Sequence, residues 1–131
     1  MTIAEAKIFV DTDVLIDFLR GYPAAVAFLT SHRAKLAISV ITLAELYAGV
    51  RDETEKEGLD AFLKAFTIVD ITQDIASLGA TYRRQYGRSH GMGLADALIA
   101  ATAHSHGATL ATLNHKHFSM FETTVVPYRK L

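Results

Sequence analysis

Cysteine is absent from the 131 residues, so disulfides and thiolate metal sites are excluded at the outset. Net charge is nearly absent too. Thirteen Lys and Arg against 14 Asp and Glu leave −1, too little for the global basic field of a nucleic-acid coat protein. Contact with a polyanion therefore has to come from a local patch. No apolar run approaches the roughly 20 residues that span a bilayer. The opening MTIAEAK lacks a charged segment followed by a long apolar one, so no signal peptide is expected. Repeats, linkers and low-complexity segments are missing as well. What is left is the expectation of a cytoplasmic protein with no membrane contact, folded as one domain over residues 1–131 and long enough to bury a sizeable core. A composition of 50% hydrophobic and 21% charged residues fits that expectation.

What is present is a series of short apolar runs, each closed by a polar residue. Ile8-Phe9-Val10 ends at Asp11, Leu36-Ala37-Ile38 at Ser39, and Ile68-Val69 at Asp70. Thr109 to Ala111 and Thr124 to Val126 follow the same pattern. Such runs read as buried strands. Helical spacing fills the gaps. One helix begins near Val14, capped by Thr12 or Asp13 and stopped by Gly21, and a second runs from Pro23 towards Arg33. Leu43, Leu46, Tyr47 and Val50 mark a third helix, and residues 57–66 a fourth after a charged break at 51–56. Thr72 caps a fifth, ending near Tyr86, and a polar, glycine-rich loop is expected over 83–93. Leu94 to Ser105 is apolar almost all round, the pattern of a buried helix. Strands alternating with helices predict an α/β fold of right-handed βαβ units on a parallel sheet of four to five short strands.

In such a sheet, strand ends and helix starts meet on one edge, where ligands bind. Asp11, Glu45, Asp96 and Asn114 all fall there. Oxygen-bearing side chains in that arrangement suit a hard divalent cation, Mg²⁺ or Mn²⁺, with Asp11 and Asp96 expected to hold it directly or through water. Simpler roles compete for each. Asp13 reads as a helix cap, and Asp17 as the partner of Arg20 on a solvated face. Thr42 and Glu45 have capping-box spacing, unless Ser39 is the cap and Glu45 is free; spacing leaves both open. Asp96 is a first-turn acid favoured by the helix dipole, but its apolar neighbours make unpaired burial costly. Asn114 after a strand is a common turn residue.

No HExxH occurs, and the pairs His104/His106 and His115/His117 have i,i+2 spacing, which points opposite ways on a helix. They read as surface or rim residues. Arg83, Arg84, Arg88 and His90 form the one compact basic group, suited to a polyanion if it lies near the acids.

The segments IFVDTDVLID, ISVITLAELYAG and GLADALIAATAHSHGATLATLNHKHF together resemble the PIN-domain ribonucleases, specifically the VapC-type toxins of toxin–antitoxin pairs. The resemblance implies a three-layer α/β/α domain and a Mg²⁺- or Mn²⁺-dependent endoribonuclease acting on tRNA or other structured RNA. It also implies a homodimer and a small antitoxin partner that blocks the site. Asp11, Glu45 and Asp96 match the family's acids, and Asn114 stands where many members carry a fourth. Two alternatives remain at this level. Asp11-Thr-Asp13 mimics the start of haloacid-dehalogenase-like phosphatases, with Asp11 as nucleophile. A catalytically silent RNA- or partner-binding module is the other.

Overall fold

Ile8–Val10 forms β1, the centre of a parallel sheet whose order is β3-β2-β1-β4-β5. The computed structural model describes residues 8–130; the expectation drawn from MTIAEAK lies outside them. The remaining strands are β2 (Leu36–Ser39), β3 (Thr67–Val69), β4 (Thr109–Ala111) and β5 (Thr124–Val125). Phe9 pairs with Ala37 on one side and Leu110 on the other. The helices are α1 (Thr12–Leu19), α2 (Pro23–His32), α3 (Val40–Ala48), α4 (Glu53–Leu63), α5 (Gln73–His90), α6 (Leu94–Ser105) and α7 (His115–Phe118).

Alternation along the strands divides the core in two. Phe9, Ala37 and Leu110 face Met92, Ile99, Ala100 and Ala103 of the α5–α6 layer. Val10, Leu36 and Ile38 face Val14, Leu15, Leu46, Leu59 and Leu63 of the α1–α4 layer. Right-handed crossovers produce this division: the chain walks outward through β2 and β3, then returns to β4 behind the sheet. The result is the expected α/β/α sandwich. Gly79 lets α5 and α6 touch, since a Cβ there would meet Leu98 Cδ2 at 2.6 Å.

Three expectations need correction, and one element is new. Helix α4 begins at Glu53 rather than 57, because Asp52 Oδ1 caps it by accepting from Glu55 N at 2.8 Å. Residues 83–90 are not a loop but the last two turns of α5, whose polar residues form its exposed side. The break comes at Gly91, in the left-handed conformation with φ +68°. The short helix α7 was unforeseen. Asp17 is not on a solvated face with Arg20; it is buried, accepting from Tyr128 Oη and Lys130 Nζ, each at 2.8 Å.

Candidate active site

The order of the strands reverses between β1 and β4, and the chain leaves both at the same edge. Asp11 N donates to Ala111 O at 2.9 Å, one step beyond the β1–β4 ladder. Asp11 is therefore the first residue outside the sheet and the N-cap of α1, its Oδ1 accepting from Thr12 N at 2.8 Å. The cap expected at Thr12 or Asp13 is Asp11 itself. Its Oδ2 accepts from Thr112 Oγ1 at 2.7 Å, so the residues that end neighbouring strands are joined by their side chains.

Ser39 Oγ caps α3 by accepting from Ile41 N at 3.1 Å. Thr42 is then inside the helix and buried, and the capping-box alternative for Glu45 lapses. Glu45 is exposed, and its Oε1 accepts from Thr12 Oγ1 at 2.6 Å. Thr42 Oγ1 lies 3.2 Å from the same hydroxyl and supplies the proton of that contact, since Thr12 has only one to give.

Asp96 occupies the first turn of α6, where Gly93 caps without a side chain. Its Oδ2 lies 2.9 Å from His117 Nδ1, and the Asn114 amide Nδ2 lies 2.7 Å from that same ring nitrogen. Asn114 N in turn donates to Thr112 Oγ1 at 3.0 Å. A continuous path of hydrogen bonds thus runs from Asp96 through His117, Asn114, Thr112, Asp11 and Thr12 to Glu45. All four residues singled out from sequence lie on it.

A family model described as PIN domain matches residues 8–121. The chain belongs to the PIN domain family, in its VapC branch. It is 45% identical over 124 residues to a Mycobacterium tuberculosis protein named Ribonuclease VapC10, covering 92% of each chain. It is 42% identical over 123 residues to Ribonuclease VapC19 of the same organism, covering 91% of this chain and 98% of that one. Among solved structures it resembles a toxin–antitoxin complex from Klebsiella pneumoniae, with TM-score 0.85 and 33% identity over 95% of this chain and 100% of that one. The FitAcB structure from Neisseria gonorrhoeae matches with TM-score 0.73 and 31% identity, covering 92% and 97%. Membership in the PIN domain family removes the phosphatase alternative.

Three side chains on the path escaped the sequence analysis. Thr12 and Thr112 carry hydroxyls that suit many roles, and only position distinguishes Thr112: it follows β4 as Asp11 follows β1. His117 was read as a rim residue, whereas it touches both Asp96 and Asn114. Asp13 is not the cap it was read as but a first-turn residue of α1: its Oδ2 accepts from Leu113 N at 3.1 Å and its Oδ1 is buried with no partner among the described residues. The arginines of α5 are exposed and make no contact with the acids.

Electrostatics of this PIN domain favour a bound cation. Burial, then the neighbouring Asp13 charge, pushes the Asp11 carboxyl up from 3.8 to about 7, against the hydrogen bonds from Thr112 and Thr12; Asp96 adds to the rise. Burial raises Asp13 as well. Among the described residues no lysine or arginine pairs with Asp11, Asp13, Glu45 or Asp96. An all-oxygen donor set with excess negative charge and a buried orphan oxygen fits a hard divalent ion. Among the described residues no three acidic or histidine side chains stand close enough to ligate one ion together. Two carboxylates completed by waters are the usual arrangement for Mg²⁺.

Proposed function

We propose that the chain is an endoribonuclease toxin, one domain over 1–131, that hydrolyses phosphodiester bonds in tRNA or other structured RNA with Mg²⁺ or Mn²⁺ at the β1–β4 edge. The observation that carries this reading is the hydrogen-bonded path joining Asp11, Glu45, Asp96 and Asn114 across that edge. The relatives are named ribonucleases, and the solved neighbours include a toxin–antitoxin complex.

Asp11 and Asp96 would hold the ion. When bound, it supplies charge neutralisation at the phosphate and a more acidic water. Glu45, aimed by Thr12, accepts the proton of the attacking water as that oxygen bonds to phosphorus. The bond to the 3′ oxygen breaks, leaving 5′-phosphate and 3′-hydroxyl ends once the leaving oxygen takes a proton from solvent. Asn114 orients a phosphate oxygen or a water. A groove of about 770 Å³ next to the acids, lined by Ile16, Leu19, Leu46 and Leu59 together with Arg20, Glu45, Arg51 and Glu55, offers a seat of mixed apolar and charged character to an antitoxin segment. Two copies of the chain working as a homodimer in the cytoplasm complete the reading; light scattering on the isolated protein tests the dimer. No single helix is long and apolar enough to cross a membrane among the described residues.

The test is to sequence RNA 5′ ends after inducing the protein, with Asp96→Asn as control. New 5′-phosphate ends that appear with the parent and vanish with a folded variant support the reading. Equal cleavage by that variant, or none by the parent, refutes it, and the second outcome favours a silent RNA- or partner-binding module.

A further inference from the structure

We infer that His117 is a positioning residue for the metal site, fixing Asp96 through an Nδ1–H hydrogen bond and tying it to Asn114; this rests on the nuclease reading above. The ring is held from three segments of chain. It starts from α7, reaches Asp96 Oδ2 at 2.9 Å on α6, and sets Nε2 against Gly91 at the end of α5, where a Cβ would come within 3.3 Å. No other side chain makes a hydrogen bond to Asp96 among the described residues. Without the imidazole, a half-buried carboxylate in a first helical turn is free to rotate.

Proton counting fixes the tautomer. A carboxylate only accepts, so the contact with Asp96 requires hydrogen on Nδ1. The same Nδ1 cannot also accept from the Asn114 amide 2.7 Å away. The consistent arrangement turns the amide by half a rotation, so that Nδ1–H is shared between Asp96 Oδ2 and the Asn114 oxygen. In that state the amide nitrogen is released towards the pocket, and one ring orients two of the four site residues. Partners that orient a ligating group typically change metal affinity by about 10–100-fold when removed.

Asparagine places an N–H donor where Nδ1 stands, whereas glutamine places one near Nε2. The experiment titrates Mn²⁺ calorimetrically into the full chain and its His117→Ala, His117→Gln and His117→Asn variants, with Asp96→Asn as reference. Metal-free thermal midpoints are recorded alongside. At least about tenfold weaker binding is expected for the Ala and Gln variants, with recovery to within about threefold in the Asn variant. Parent-like binding by both the Ala and Gln variants overturns the inference, as does an Asn variant no better than Ala. Absence of Mn²⁺ binding by the parent overturns the metal reading itself, and a parent that binds while Asp96→Asn does not separates the two failures.

Discussion

Asp11→Asn should make the metal-free protein more stable at pH 8, although it removes a candidate site residue. In the folded chain Asp11 keeps its proton to about pH 7, against an ordinary 3.8, chiefly because burial and the Asp13 charge oppose ionisation. At about 1.4 kcal/mol for each factor of ten, ionised Asp11 opposes folding by about 4 kcal/mol above pH 7. The sign follows from the raised value. Stability is fully present below 3.8, where folded and unfolded chains both hold the proton, and falls as pH rises to about 7. Asparagine never ionises. Its oxygen can still accept from Thr12 N, and its Nδ2 faces Thr112 Oγ1, which then turns its own proton towards Asp13 Oδ2, 3.5 Å away. Rearranging that bond costs about 1 kcal/mol, so the net gain is about 3 kcal/mol at pH 8 and becomes a loss of about 1 kcal/mol below pH 4. Urea denaturation in EDTA at the two pH values measures it. Added Mg²⁺ should stabilise the parent and leave the variant unmoved. A variant less stable than the parent at pH 8 would show that Asp11 carries no electrostatic load, and the cation argument would fail with it.

Other substitutions test the supports of the site. Thr112→Val leaves Asp11 Oδ2 and Asn114 N without their shared partner, and should cost about 1–3 kcal/mol by urea melting, largely recovered by Thr112→Ser. Gly91→Ala forces a side chain into φ +68° and towards His117 Nε2; about 1–2 kcal/mol of stability should be lost, read by thermal melting. Asp17 is held below the usual carboxylate range because hydrogen bonds from Lys130 and Tyr128 outweigh its burial. The stabilisation those bonds supply is present above the ordinary 3.8 and lost as pH falls below it. Tyr128→Phe should therefore destabilise at pH 7 by about 1–3 kcal/mol and by less at pH 3.

The layer order and the buried helix were legible because they rest on composition: three-residue runs such as Ile8-Phe9-Val10 have no other comfortable setting than a covered strand. The acids at their ends were legible because parallel strands deliver them to one edge. Arg83–His90 misled because a long helix with one wet side is as polar as a loop there, and Gly87 looks like a breaker. Gly87 lies inside α5 and is not among the glycines with positive φ, so nothing in its backbone ends the helix there. Asp17 was misread since its partners lie 111 and 113 residues away. Thr112 and His117 were missed for a related reason. A hydroxyl or an imidazole shows its role only through what it touches, and their contacts to Asp11 and Asp96 span 101 and 21 residues.

Anomalous diffraction from crystals soaked in Mn²⁺ tests the central claim most directly. A single strong peak bridging the Asp11 and Asp96 carboxylates, with waters completing the shell and Glu45 and Asn114 facing it, is the predicted result. Crystals that take up no manganese at the β1–β4 edge, or bind it away from both aspartates, would contradict the account.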